Sequence, residues 1–135
     1  MIGDIVGRLG RKAVQKVLPD LRRQLELDIV VANGENAAGG LGLTPDTANE
    51  IFSYGVDVIT SGNHIWDKKE IIPLLNDKTC VLRPLNYPDS TPGSGYVHVN
   101  GALIVNLIGR VFVGNFDDPF RAMDSFLLQH QDTII

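Results

Sequence analysis

VDVITSGNHIWDK, residues 56–68, is the stretch whose reading decides the fold. Its first five residues, Val56 to Thr60, are apolar and β-branched for the most part and read as a strand. The amide of Asn63 and the imidazole of His64 therefore fall where that strand ends, and in α/β proteins the carboxyl ends of strands are where the chemistry is kept. Two earlier runs finish the same way. The N-terminal stub Met1 to Gly3 leads into Asp4, and Ile29-Val30-Val31-Ala32 leads into Gly34-Glu35-Asn36. Three strand ends thus deliver two carboxylates (Asp4, Glu35), two amides (Asn36, Asn63) and one imidazole (His64).

Outward from that stretch, β-rich runs alternate with helical patterns. Strands are predicted at Met1 to Gly3, Ile29 to Ala32, Val56 to Thr60 and Cys80 to Arg83, and helices at Arg11 to Leu25, Pro45 to Tyr54 and Lys68 to Asn76. Repeated βα units with continuously apolar strands imply an α/β fold with a parallel sheet covered on both faces. Thr44 before Pro45 has the form of an N-cap followed by a first-turn proline, and Gly55 that of a closing glycine. Asp67 with Glu70 has capping-box spacing. Pro19 and Pro73 lie inside helical patterns and predict a kink or restart at each.

Beyond Pro84 the pattern changes. Leu85 to Gly95 carries Pro88, Pro92, Gly93 and Gly95 and reads as a long loop. Tyr96 to Val99 and Ala102 to Leu107 flank Asn100-Gly101, a strong hairpin signal. Antiparallel strands, hence a second sheet, are expected after the parallel section. Pro119 to Gln129 has apolar residues at helical spacing, and Thr133-Ile134-Ile135 reads as the beginning of another strand. The first and last runs are short for central strands, so the expectation is a single domain over 1–135 that is cut at both ends.

The bulk numbers set limits. At 135 residues and 44% apolar, the chain can bury one core. A net charge of −4 provides no strong footprint for a nucleic-acid backbone, and the basic cluster between Arg8 and Arg23 is interleaved with a helical apolar stripe. Cys80 is the one cysteine, which fits a reducing cytoplasm. No apolar run approaches the ~20 residues that span a bilayer, so a cytoplasmic protein with no membrane contact is expected.

Asp4, Glu35, Asn36 and Asn63 are hard oxygen donors and His64 adds a nitrogen, a set that suits Mn²⁺ or Fe and, less well, Mg²⁺. A carboxylate such as Glu35 can bridge two ions about 3.5–4 Å apart, the arrangement that activates water and clamps a phosphoryl displacement. His64 could meet the phosphate without binding metal, as a proton donor to a leaving oxygen. Each residue also has a plain structural reading: an aspartate as a cap, Asn33-Gly34 as a turn, an isolated histidine as packing. Convergence of strand ends in one crevice is what favours the site. The glycine-rich run Ala37 to Leu43 lacks GxGxxG order and a GK[ST] ending, so it reads as tight backbone beside the site. Ser61 has no GxSxG elbow. His98 and His130 read as surface residues, and Trp66 as a packing anchor beneath the His64 loop, with base stacking as the alternative.

Six strings, GDIVG (3–7), NGENAAGGLGL (33–43), SGNHIWDKKEI (61–71), RPLNYP (83–88), NLIGR (106–110) and DDPF (117–120), together resemble the YmdB-type metallophosphoesterases of the calcineurin-like superfamily. The resemblance runs along essentially the whole chain. It implies part of a four-layer α/β/β/α sandwich and a two-metal centre, iron or manganese, that hydrolyses cyclic nucleotides including the 2′,3′-cyclic ones, with 3′,5′-cyclic nucleotides as a further candidate. It assigns Asp4, Glu35, Asn36 and Asn63 to the metals and His64 to catalysis. Val6 stands where the wider superfamily's DxH motif has histidine, as is usual in this branch. The resemblance also implies further histidine ligands in FHAE-like and GTHTH-like motifs of a second half, so the chain alone is expected to be weakly active. Two other readings remain at this stage: a non-catalytic scaffold of the same fold in RNA turnover, and a metal-free α/β nucleotide-binding module. A sheet edge and apolar face left uncovered would favour homo-oligomers.

Overall fold

Four short strands, β1 (Ile2–Asp4), β2 (Val31–Asn33), β3 (Val58–Thr60) and β4 (Val81–Leu82), pair in parallel in the order β1-β2-β3-β4. The structure is a computed structural model that describes residues 1–77 and 80–130. Helix α1 (Gly7–Gln24) connects β1 to β2 and α2 (Pro45–Ser53) connects β2 to β3. A 3-10 turn, Lys69–Ile71, and the short α3 (Ile72–Asn76) lead to β4. A second, antiparallel sheet is the hairpin β5 (Tyr96–Val99) and β6 (Ala102–Val105), and α4 (Pro119–Gln129) follows it. The α/β reading therefore holds, with the hairpin where Asn100-Gly101 put it. Both turn residues have positive φ, 47° and 82°, as a tight hairpin turn of that dipeptide requires.

The apolar character of the strands is explained by where they lie. Ile59 and Val81 belong to the main core with Val14, Leu18, Ala48 and Ile51 of the helices. Val58 and Leu82 point the opposite way along the pleat and are fully buried outside that cluster, as is Leu103 of β6. β3 and β4 are thus covered on both faces, and each such side chain contributes about 1.5–3 kcal/mol by leaving water.

Several boundaries differ from expectation. β2 and β3 are shorter than their apolar runs because the Asp57 carboxylate, held by Arg22 at 2.8 Å, takes the Val30 amide (2.7 Å). α1 begins at Gly7, and it passes through Pro19 as one element. At Pro73, in the first turn of α3, the expected restart is found. Thr44 caps α2 in a reciprocal box with Thr47, and Gly55 follows its C-cap Tyr54 at φ 101°. The Asp67–Glu70 capping box does not form: Lys68 is the cap residue and makes no side-chain cap bond. The Thr133–Ile135 strand lies outside the described residues.

Candidate metal centre

Strand register places the site. Asp4 pairs with Asn33 and Asn33 with Thr60, so these three positions form one row across the carboxyl edge of the sheet. Glu35 lies two residues past the row on β2, and Gly62-Asn63-His64 lies past it on β3. A cleft of about 570 Å³ opens there, lined among others by Asp4, Glu35, Asn63, Asn106, Ile108 and Val113. Asp4, Glu35 and Asn63 are brought together as expected. Asn36 and His64 do not line the cleft themselves, but each is bonded to a residue that does.

Glu35 is held by its surroundings. Its backbone N–H donates to Asn33 Oδ1 (3.0 Å), Asn33 Nδ2 donates to Glu35 Oε1 (3.4 Å), and the His64 N–H donates to Glu35 Oε2 (3.3 Å). A Cβ on Gly62 would overlap both carboxylate oxygens of Glu35. Glycine at 62 is thus what lets the carboxylate lie against the β3 turn.

The two amides behave differently. Asn63 donates Nδ2 to His64 Nε2 (3.3 Å), which leaves its oxygen for another partner. Asn36 donates Nδ2 to Asp4 Oδ2 (2.7 Å), while its side-chain oxygen is buried with no partner. The Asn36 backbone carbonyl accepts from Gly7 (2.9 Å) and Gly40 (3.2 Å), so this residue ties Asp4, the start of α1 and the glycine-rich run together. It faces Asp4 with a donor, as an orienting group does.

His64 donates Nδ1 to Asp67 Oδ2 at 2.7 Å, and its other ring nitrogen accepts from Asn63. The glycine-rich run supports this segment: a Cβ on Gly42, at φ 79°, would press on Lys68 and Asp67. Trp66 packs edge-on against Tyr87 with centroids 4.7 Å apart, and Tyr87 against Phe116 at 4.5 Å. Burial pushes the Tyr87 phenol up, with the Glu35 charge a smaller push in the same direction.

The remaining sequence candidates lie elsewhere. His98 is exposed on β5. His130, expected at the surface, is half-buried: it stacks on Phe126 (4.0 Å, 18°) and sits beside Tyr96. Ser61 is buried and donates to the Leu82 carbonyl (2.6 Å).

Two asparagines escape the sequence reading. Asn86, fully buried, donates Nδ2 to the carbonyls of Ile108 (2.9 Å) and Asp117 (2.8 Å) and accepts from Ile108 N–H (3.0 Å). It closes the base of the 108–117 excursion, whose Ile108 and Val113 form part of the cleft wall. Asn106 donates Nδ2 to Ser61 O (2.8 Å) and Leu82 O (3.1 Å). The only sequence signal is that each stands inside a string shared with the family, RPLNYP and NLIGR.

The donors fit hard cations. Two carboxylates and an amide oxygen share one cleft, and the glycine at 62 makes room for the longer carboxylate. Among the described residues no group of three or more His, Cys, Asp and Glu stands ready to hold a metal ion.

Comparison with known proteins agrees with the fold. The family model described as YmdB-like protein matches residues 1–135. The chain is 42% identical over 132 residues to a 2′,3′-cyclic-nucleotide 2′-phosphodiesterase of Bacillus subtilis (strain 168), covering 95% of this chain and 50% of that protein. The crystal structure of a hypothetical protein from Thermus thermophilus superposes with a TM-score of 0.86 at 45% identity, over 94% of this chain and 51% of the other. That of a novel phosphatase from Mycoplasma pneumoniae gives a TM-score of 0.83 at 30% identity, over 94% and 49%. The chain thus spans about half the length of the relatives it matches.

Proposed function

The chain belongs to the YmdB-like family, and from that premise we propose that it serves a metal-dependent phosphodiesterase acting on cyclic nucleotides, 2′,3′-cyclic and 3′,5′-cyclic, in the cytoplasm. The name of the Bacillus subtilis relative supports the substrate class. The observation that carries the reading is the convergence of Asp4, Glu35 and Asn63 on one cleft at the carboxyl edge of the parallel sheet. No helix among the described residues is long and apolar enough to cross a membrane.

Asp4, Glu35 and Asn63 would hold two ions, iron or manganese. Such ions supply charge neutralisation for the phosphate oxygens and lower the pKa of a nucleophilic water. Glu35, restrained from three sides, presents both its oxygens without rearrangement. Asn63 would offer its oxygen to a cation while its Nδ2–H holds the resting His64 ring. Asp67 holds the His64 ring through Nδ1, and Nε2, on taking up a proton in place of the Asn63 contact, would give it to the departing alkoxide.

The test is hydrolysis of bis-p-nitrophenyl phosphate and of a 2′,3′-cyclic nucleotide by the full-length protein under Mn²⁺. Turnover should vanish on chelation and return with Mn²⁺, and Glu35→Gln and His64→Ala should each lower it by about 100-fold or more. Turnover that survives chelation would reject metal dependence. A rate within about threefold of the unaltered protein would remove the assignment of the altered residue.

A further inference from the structure

We propose that Asn106 is the positioning residue of the Gly62-Asn63-His64 turn and acts through the carbonyl of Ser61; the inference rests on the metal-site reading above. The peptide joining Ser61 to Gly62 is one rigid plane, so its orientation sets the direction in which the chain leaves β3. A side chain at 62 would displace the Glu35 carboxylate, which occupies that space, and the glycine that makes room for it leaves the turn free to pivot. Something else must hold the plane.

Asn106 Nδ2 does so. It donates to Ser61 O at 2.8 Å and to Leu82 O at 3.1 Å, spanning the ends of β3 and β4. Leu82 O also accepts from Ser61 Oγ at 2.6 Å, which closes a small buried network. The anchor is itself fixed, because the Asn106 N–H donates to Gly95 O (2.9 Å) and its carbonyl accepts from Leu85 N–H (2.7 Å). Asn106 is 8% exposed and still lines the cleft. Two N–H donors on one short side chain are available from asparagine but not from aspartate, serine or leucine. The segment leaving β6 thus determines where Asn63 and His64 sit relative to Glu35.

The experiment compares Asn106→Leu and Asn106→Ser with a core control, Leu18→Ala, in the full-length protein. Leu18 is buried on α1 at 4% exposure and away from the cleft. Mn²⁺ affinity is measured by titration calorimetry, melting temperature by circular dichroism, and kcat and KM on bis-p-nitrophenyl phosphate. Asn106→Leu should weaken Mn²⁺ binding by about tenfold or more and lower kcat more than it raises KM. Asn106→Ser keeps one donor and should fall between, and it decides the matter should the leucine variant not fold. Leu18→Ala should lose melting temperature yet bind Mn²⁺ within about twofold of the unaltered protein. Asn106 variants that lose melting temperature but keep unaltered Mn²⁺ affinity and kcat would overturn the proposal and leave Asn106 a structural residue. If the unaltered protein takes up no Mn²⁺, the metal-site reading itself is overturned, and this inference with it.

Discussion

His64 and Asp67, three residues apart at the exit of β3, share a hydrogen bond of 2.7 Å from Nδ1 to Oδ2. Both side chains are partly open to solvent, 34% and 44% exposed, so the bond works as an orienting contact more than as a source of stability. Asp67 does not line the cleft. Asp67→Ala should therefore lower kcat by about 10- to 100-fold while Mn²⁺ affinity stays unchanged. A parallel loss of metal binding would show that Asp67 supports the ligands and not the histidine alone.

Gly62→Ala tests the packing of Glu35. A methyl group at 62 would overlap both carboxylate oxygens, so the carboxylate has to leave its present position. Mn²⁺ affinity should drop by about tenfold or more, with the fold retained. Undiminished affinity, measured by titration calorimetry, would mean that Glu35 does not need its present position to bind the ion.

What can be read from the sequence follows from what sequence patterns report. Asp4, Glu35 and Asn63 can be placed in one crevice because parallel register aligns strand ends whatever the intervening helices do. The bounds of α4 are legible because apolar residues recur at helical spacing between Pro119 and Gln129. Strand lengths are overestimated at Ile29-Val30 and Val56-Asp57, since apolar character marks burial and not ladder pairing, and an aspartate side chain takes the Val30 amide. The i, i+3 spacing that suggests Asp67 with Glu70 fits His64 with Asp67 equally well, and the second pair is the one that forms. Asn106 and Asn86 cannot be found this way. Asn106 falls inside the run Ala102 to Leu107 that reads as a strand and Asn86 in a Pro-rich loop, and no local pattern names their partners, which for Asn106 lie 45 and 24 residues away.

Asp118 gives a pH-dependent contribution with a defined sign. Its carboxylate caps α4 through the Phe120 (3.0 Å) and Arg121 (3.3 Å) amides and pairs with Arg110 (2.7 Å). The Arg121 amide bond is the largest of the effects that hold its pKa below the ordinary aspartate value. A folded pKa below the unfolded one means that the stabilisation is present above the ordinary aspartate range and is lost as pH falls through the folded value. The difference in melting temperature between the unaltered protein and Asp118→Ala should be full at neutral pH and shrink towards zero in acid. A difference independent of pH would locate the effect in packing instead.

Asn36 separates an orienting role from a ligand role by the sign of one substitution. Its Nδ2 rests on Asp4 Oδ2 at 2.7 Å and its oxygen is buried away from any partner, so the site as built uses it as a donor. Asn36→Leu removes that donor and should weaken Mn²⁺ binding by about tenfold, because Asp4 is freed to rotate. Asn36→Asp is the decisive change. If the oxygen at 36 were a ligand, replacing a neutral amide by an anion would tighten binding; if the residue orients Asp4, it sets two carboxylates against each other and weakens binding. Weaker Mn²⁺ binding in Asn36→Asp is the expected result, and tighter binding would return Asn36 to the ligand set.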